Sequence, residues 1–103
     1  MTRKEQIQSM LAEQPSDTFL QYALAIEIAK TGDIITAIQH TSKLLKQTPD
    51  YLGAYYQLGK WYEAIQDFEA AISTYQQGIK LAATQNNTKA KNELEQALWL
   101  IED

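Results

Sequence analysis

The chain has 103 residues, 45% of them hydrophobic and 21% charged, with a formal net charge of −4 and no cysteine. That is room for a single domain of globular composition, and the missing cysteines exclude disulfides, thiolate metal sites and thiol nucleophiles. The nine basic residues are scattered in pairs such as Lys43/Lys46 and Lys89/Lys91, not in the clustered stripe through which proteins neutralise nucleic-acid phosphates.

No stretch reaches the roughly 20 apolar residues that cross a bilayer. Met1 to Gln6 leads into no apolar secretory segment, so a cytoplasmic protein without membrane or nucleic-acid partners is expected. Two prolines and four glycines are too few for a turn-dense β fold. Long helices joined by short turns fit better.

In chain order, residues 3–13 place Ile7, Met10 and Leu11 on one helical face, ended by Pro15. A second apolar face, Leu24/Ala25/Ile28, precedes Gly32-Asp33. Glycine there can take the left-handed conformation that ends a helix, and aspartate can cap the next one. Ile34, Ala37, Ile38, Leu44 and Leu45 form the third face. Pro49 closes it, because proline cannot continue a helix and turns Thr48 away from helical geometry. Asp50 is then the expected cap of a fourth helix carrying Tyr55, Leu58, Gly59 and Tyr62 at i, i+3, i+4, i+7. After Gln66-Asp67, the face Phe68, Ala71, Ile72, Tyr75 and Ile79 defines a fifth helix, with Gly78 expected in tight contact with the last one. That sixth helix, capped by Asn87 or Thr88, presents Ala90, Leu94, Ala97, Leu98 and Ile101.

Sliding the sequence by 34 residues superimposes Leu24 on Leu58, Ala25 on Gly59, Ile28 on Tyr62, Asp33 on Asp67, Ala37 on Ala71 and Ile38 on Ile72, without a gap. The same shift brings Met10, Leu11 and Pro15 onto Leu44, Leu45 and Pro49. An internal repeat of this period means stacked supersecondary units that share one core. Its expected division is an N-terminal half-repeat helix at 2–14, repeats at 18–51 and 52–85, and a capping helix at 87–103. Two repeats alone would be marginal, since about three are needed to close a core; the flanking helices supply the remaining surface.

The second unit, with Tyr55, Leu58-Gly59, Tyr62, Ala71 and Tyr75, resembles the tetratricopeptide repeat (TPR), a helix–turn–helix with Leu-Gly, Tyr, Ala, an aromatic and Pro at fixed offsets. It departs from the pattern at Ala83, where the family has Pro, and at Gly78, where Ala is usual. The first unit is more divergent, with Gln21, Ile28 and Thr41 at aromatic positions, while Pro49 matches. The resemblance implies an all-α, right-handed superhelix (an α-solenoid) of about six antiparallel helices. It also implies an adaptor or scaffold whose concave face, lined by the first helix of each repeat, takes a partner peptide or helix.

Turning about 180° from each packed face at about 100° per residue locates that side at Phe19, Tyr22, Ile26 and Lys30 in the first repeat and at Tyr56, Gln57 and Lys60 in the second. Aromatic anchors with a polar rim are the usual make-up of protein-binding hot spots. Adjacent helices of a tight solenoid would equally cover Phe19 and Ile26. The Lys/Asn clamp with which many TPR cochaperones grip acidic chaperone tails is not present: Tyr22 and Ile26 stand at its first-repeat positions, and Gln57 replaces its second-repeat Asn.

Trp99 points almost opposite the packed face of the last helix, with Leu100 at its edge. This pair is either a self-association patch, giving a monomer or weak homodimer, or a cover for a helix end. Trp61, on the flank of its helix, reads as core. His40, the one histidine, has no acid or nucleophile at helical spacing, and no base–nucleophile or metal-ligand constellation appears. No catalysis, metal or cofactor is expected.

Overall fold

The computed structural model describes residues 1–102, and all of its regular structure is helical. The helices are α1 (Arg3–Glu13), α2 (Thr18–Lys30), α3 (Ile34–Gln47), α4 (Gly53–Ala64), α5 (Phe68–Thr84) and α6 (Thr88–Ile101). The six helices expected from periodicity are all present. They gather into two compact units, Met1–Pro49 with α1 to α3 and a second from Asp50 onward with α4 to α6.

In the first unit, α2 packs against both α1 and α3. Thr2 and Glu5 form a reciprocal capping box at the start of α1, which satisfies two orphan N–H groups together. Glu5 is held below the usual carboxylate range, first by the backbone N–H of Thr2 and then by the Thr2 side chain. Asp17 and Asp33 cap α2 and α3 by accepting from Leu20 N and Thr36 N. Ala25 and Ala37 have no solvent exposure, as expected where two helices approach closely. Ile7 anchors α1, whereas Met10 is exposed: α1 packs on α2, and Met10 lies off the side that faces it.

An ion pair that the periodicity did not reveal ties α1 down. Glu27 is buried on α2 and meets Arg3 Nε at 2.9 Å and Lys30 Nζ at 3.5 Å. A buried carboxylate is tolerated only when paired, and two cations supply that here.

In the second unit, α5 packs on α4 and α6 packs on α5. Asp50 does not cap α4. Leu52 stands at the cap position with no side-chain bond, and Ala54 N and Tyr55 N donate instead to Tyr51 O and Leu52 O in a tight first turn. The Asp50 carbonyl accepts from Gln85 Nε2 at 3.0 Å, so the end of α5 ties down the start of α4. Phe68, placed on the packed face by its spacing, is 48% exposed. It is the first residue of α5, at the α4–α5 turn, and a stripe is buried only where a partner helix runs beside it.

The length of α5 follows from one residue. Pro49 stops α3 at Gln47, but its counterpart under the 34-residue shift is Ala83, and α5 continues to Thr84. It ends by the device used at the end of α4. Gln66 and Asn86 both have positive φ, at 63° and 56°, and the bonds Asp67 N to Tyr62 O and Asn87 N to Ala82 O repeat one pattern. Asp67 and Asn87 then cap α5 and α6. Gly32 takes the same left-handed role at φ 94°. A non-glycine there costs roughly 1–2 kcal/mol, which the satisfied carbonyls and the cap offset.

Candidate protein-binding face

Along α2, Phe19 is 62% exposed, Lys30 is exposed, and Tyr22 and Ile26 are half-buried. They lie opposite Leu20, Ala25 and Ile28, the buried face of the same helix. Neighbouring helices within the unit therefore leave Phe19 uncovered. Lys30 shares Glu27 with Arg3, yet its side chain remains well exposed.

Along α4, Tyr56 is exposed, and Gln57 and Lys60 are half-buried. These side chains belong to a network. Lys60 Nζ lies 5.5 Å from the centre of the Tyr56 ring and 3.7 Å from Glu63 Oε2. The Tyr75 hydroxyl donates to the same Glu63 oxygen, and the Tyr56 and Tyr75 rings are 6.3 Å apart. The position of the Tyr56 ring is thus set from below by α5. Glu63 was missed in the sequence, although its i, i+3 spacing from Lys60 was a usable signal.

A cavity of 340 Å³ lies beside Tyr56, closed on its other side by Ala90, Glu93 and Leu94 of α6. The last helix is therefore more than a cap, because its first turns form a wall next to the Tyr56 ring. Trp61 is buried, as its flank position suggested. Trp99 and Leu100 are 74% and 65% exposed, so Trp99 does not fold back over a helix end.

A larger groove of 790 Å³ lies in the first unit, on the side of α2 away from Phe19 and Ile26. Leu24 forms part of its floor, Leu11 of α1 stands on one wall, and His40, Lys43 and Leu44 of α3 stand on the other. Residue spacing along the chain does not announce it, because a groove between two helices depends on their separation across a third.

Burial raises the Tyr75 phenol far above its ordinary value, helped by its hydrogen bond to Glu63 and that group's charge. Burial, followed by the charge of Asp50, raises Tyr55 as well. The folded state thus keeps the Tyr75 proton at a pH where the unfolded chain releases it. Stability is complete below the ordinary tyrosine value of about 10 and falls as pH rises beyond it. Tyr75→Phe should cost about 1.5–3 kcal/mol at neutral pH for the lost hydrogen bond to a charged carboxylate and move the alkaline unfolding midpoint upward. Circular dichroism across an alkaline titration checks this, and an unmoved midpoint would refute it.

Among the described residues, no group of three His, Cys, Asp or Glu side chains could hold a metal ion, and no helix is long and apolar enough to cross a membrane.

No family model matches the chain, but individual proteins do. A TPR repeat-containing protein of Pseudomonas aeruginosa is 29% identical over 90 residues, 87% of this chain and 86% of that protein. A tetratricopeptide repeat domain protein of Salinibacter ruber is 40% identical. Its crystal structure gives a TM-score of 0.75 over 81% of this chain and 92% of that one. Its solution structure gives 0.82 over 85% and 89%.

The chain belongs to the tetratricopeptide repeat family. The TPR fold is also that of the TPR2B domain of yeast Sti1, solved as a complex with pHsp70. That domain matches with a TM-score of 0.84 over 93% of this chain and 77% of that one, at 21% identity. The all-α helical-repeat class expected from the 34-residue period is the class observed.

Proposed function

We propose that this TPR protein is an adaptor that holds a peptide or helix of a partner protein on the outward stripes of α2 and α4, the first helices of repeats 18–51 and 52–85. The observation that carries the proposal is Phe19, 62% exposed beside Tyr22 and Ile26 on the face of α2 that its unit does not use for packing. Tyr56 adds an aromatic whose ring is fixed by Tyr75 and Lys60, so little conformational freedom is lost on binding. The pHsp70 complex of the Sti1 domain supports a binding role for a fold of this kind. The residues differ from a carboxylate clamp, with Tyr22, Ile26 and Gln57 at its positions, and favour a partner with apolar anchors.

Comparing proteins recovered from the native cell by the wild type and by a Tyr22→Ala/Tyr56→Ala/Lys60→Ala variant tests this reading. Loss of the partner, on the order of tenfold or more for anchors of this kind, is expected; equal recovery overturns it. A second reading, self-association through the end of α6, is favoured by the exposure of Trp99 and Leu100.

A further inference from the structure

The 790 Å³ groove of the first unit has a lysine and a histidine on its α3 wall. Its titratable wall residues are His40 and Lys43, and among the described residues no aspartate or glutamate lines it. In a protein of net charge −4, a site whose titratable groups among the described residues are basic is unusual ground. Its apolar part consists of Leu11, Leu24 and Leu44, drawn from three helices. It therefore suits a short helical end that offers large apolar side chains flanked by carboxylates.

The chain carries such an end. Trp99 and Leu100 are the most exposed large apolar residues after Met1. Glu95 and Glu102 are also exposed, and at about 100° per residue they fall on the same side of α6 as Trp99. The two lysines of α6, Lys89 and Lys91, lie two turns or more before Trp99, too far to neutralise that patch at close range.

We infer that the basic-walled groove between α1 and α3 receives the Trp99–Leu100 end of α6 from a second copy of this chain. The inference rests on the self-association reading and specifies its receptor. Trp99 fills the leucine-lined part, and Glu95 and Glu102 face Lys43 and His40. Plug and groove are different surfaces, so the contact is head-to-tail. Such a contact leaves a free groove and a free plug at the two ends and permits growth beyond the dimer. A tryptophan alone buries about 150–250 Å², so a contact built on one such side chain belongs to the weak class of interface.

Sedimentation velocity from 10 µM to about 1 mM reads this association directly. The wild type is expected to grow past the dimer, whereas Trp99→Ala and the groove variant His40→Glu/Lys43→Glu each weaken association at least tenfold. All three substituted residues are exposed, and circular dichroism verifies that both variants stay folded. Mixing the two variants is the decisive arm. One supplies an intact groove and the other an intact plug, so the mixture should give a one-to-one dimer and nothing larger. A wild type that is monomeric throughout overturns both the inference and the self-association reading. Association that Trp99→Ala weakens but His40→Glu/Lys43→Glu does not, or a mixture that stays monomeric, overturns the groove alone.

Discussion

Gly59→Ala is expected to destabilise the protein by about 2–3 kcal/mol, toward the upper end for overpacked cores. A Cβ at residue 59 would lie 2.2 Å from Tyr75 Cε1, 2.6 Å from Cζ and 2.7 Å from Cδ1. These are ring atoms, not the loose end of a flexible chain. The ring has no solvent exposure, and its hydroxyl is bound to Glu63, so it cannot swing aside without losing both. Alanine would otherwise gain about 1 kcal/mol of helix propensity over glycine, so a net loss measures the clash.

The first unit places residues of different sizes at the equivalent positions. The counterparts of Gly59 and Tyr75 under the 34-residue shift are Ala25 and Thr41, both fully buried. One pair is smallest-with-large and the other small-with-medium. Gly59→Ala in a Tyr75→Thr background should therefore be neutral or stabilising. A double-mutant cycle by urea denaturation measures the coupling. Gly59→Ala as stable as the wild type, with Tyr75 intact, would show that the ring yields.

Leu94→Ala is expected to cost about 3 kcal/mol, within the range for buried leucines that leave a cavity. Leu94 is 2% exposed, and its methyl groups reach to 3.0 and 3.2 Å from where a Cβ on Gly78 would sit. Gly78 is a glycine for that reason: Tyr55 Cβ approaches the same point to 2.9 Å from the other side. The other apolar contacts of α6 are Ala90 and Ala97, which are small, and Leu98 and Ile101, which are half-buried. Leu94 therefore carries most of the attachment. Amide exchange in the Leu94→Ala protein should rise first along α6, while α4 and α5 stay protected. Trp99→Ala, on the same helix but exposed, should remain within about 0.5 kcal/mol of the wild type. Equal losses for the two substitutions would show that α6 is held by something other than Leu94.

Both results bear on binding, because the groove beside Tyr56 needs Tyr75 beneath it and α6 opposite it. Loosening either should weaken any partner held at Tyr56 without removing a contacting residue. Such effects pass through positioning, and conservative repacking rescues them.

Much of this was legible in the residues. The period of 34 gave the helices, and the i, i+3, i+4 stripes identified Ala25, Ala37, Leu58, Ala71, Tyr75 and Leu94 as core because helical geometry alone assigns a face. The caps at Asp33, Asp67 and Asn87 were legible because capping is local, depending on one side chain and an N–H three residues on. Gln66 shows where local reasoning stops: it adopts the left-handed turn of Gly32 without the glycine that would have announced it. Asp50 failed as a cap because α4 starts three residues later, in a turn that needs no side chain.

The amino-acid order by itself determined the helices, their pairing and the repeat, since each is fixed by spacing along one chain. Only the tertiary structure decided what depends on distances between helices. It buried Glu27 between Arg3 and Lys30, joined Glu63 to Tyr75, set α6 against the groove beside Tyr56, and opened the basic-walled groove across α2. The physical reason is that periodicity states which way a side chain points, and only packing states what stands there to meet it.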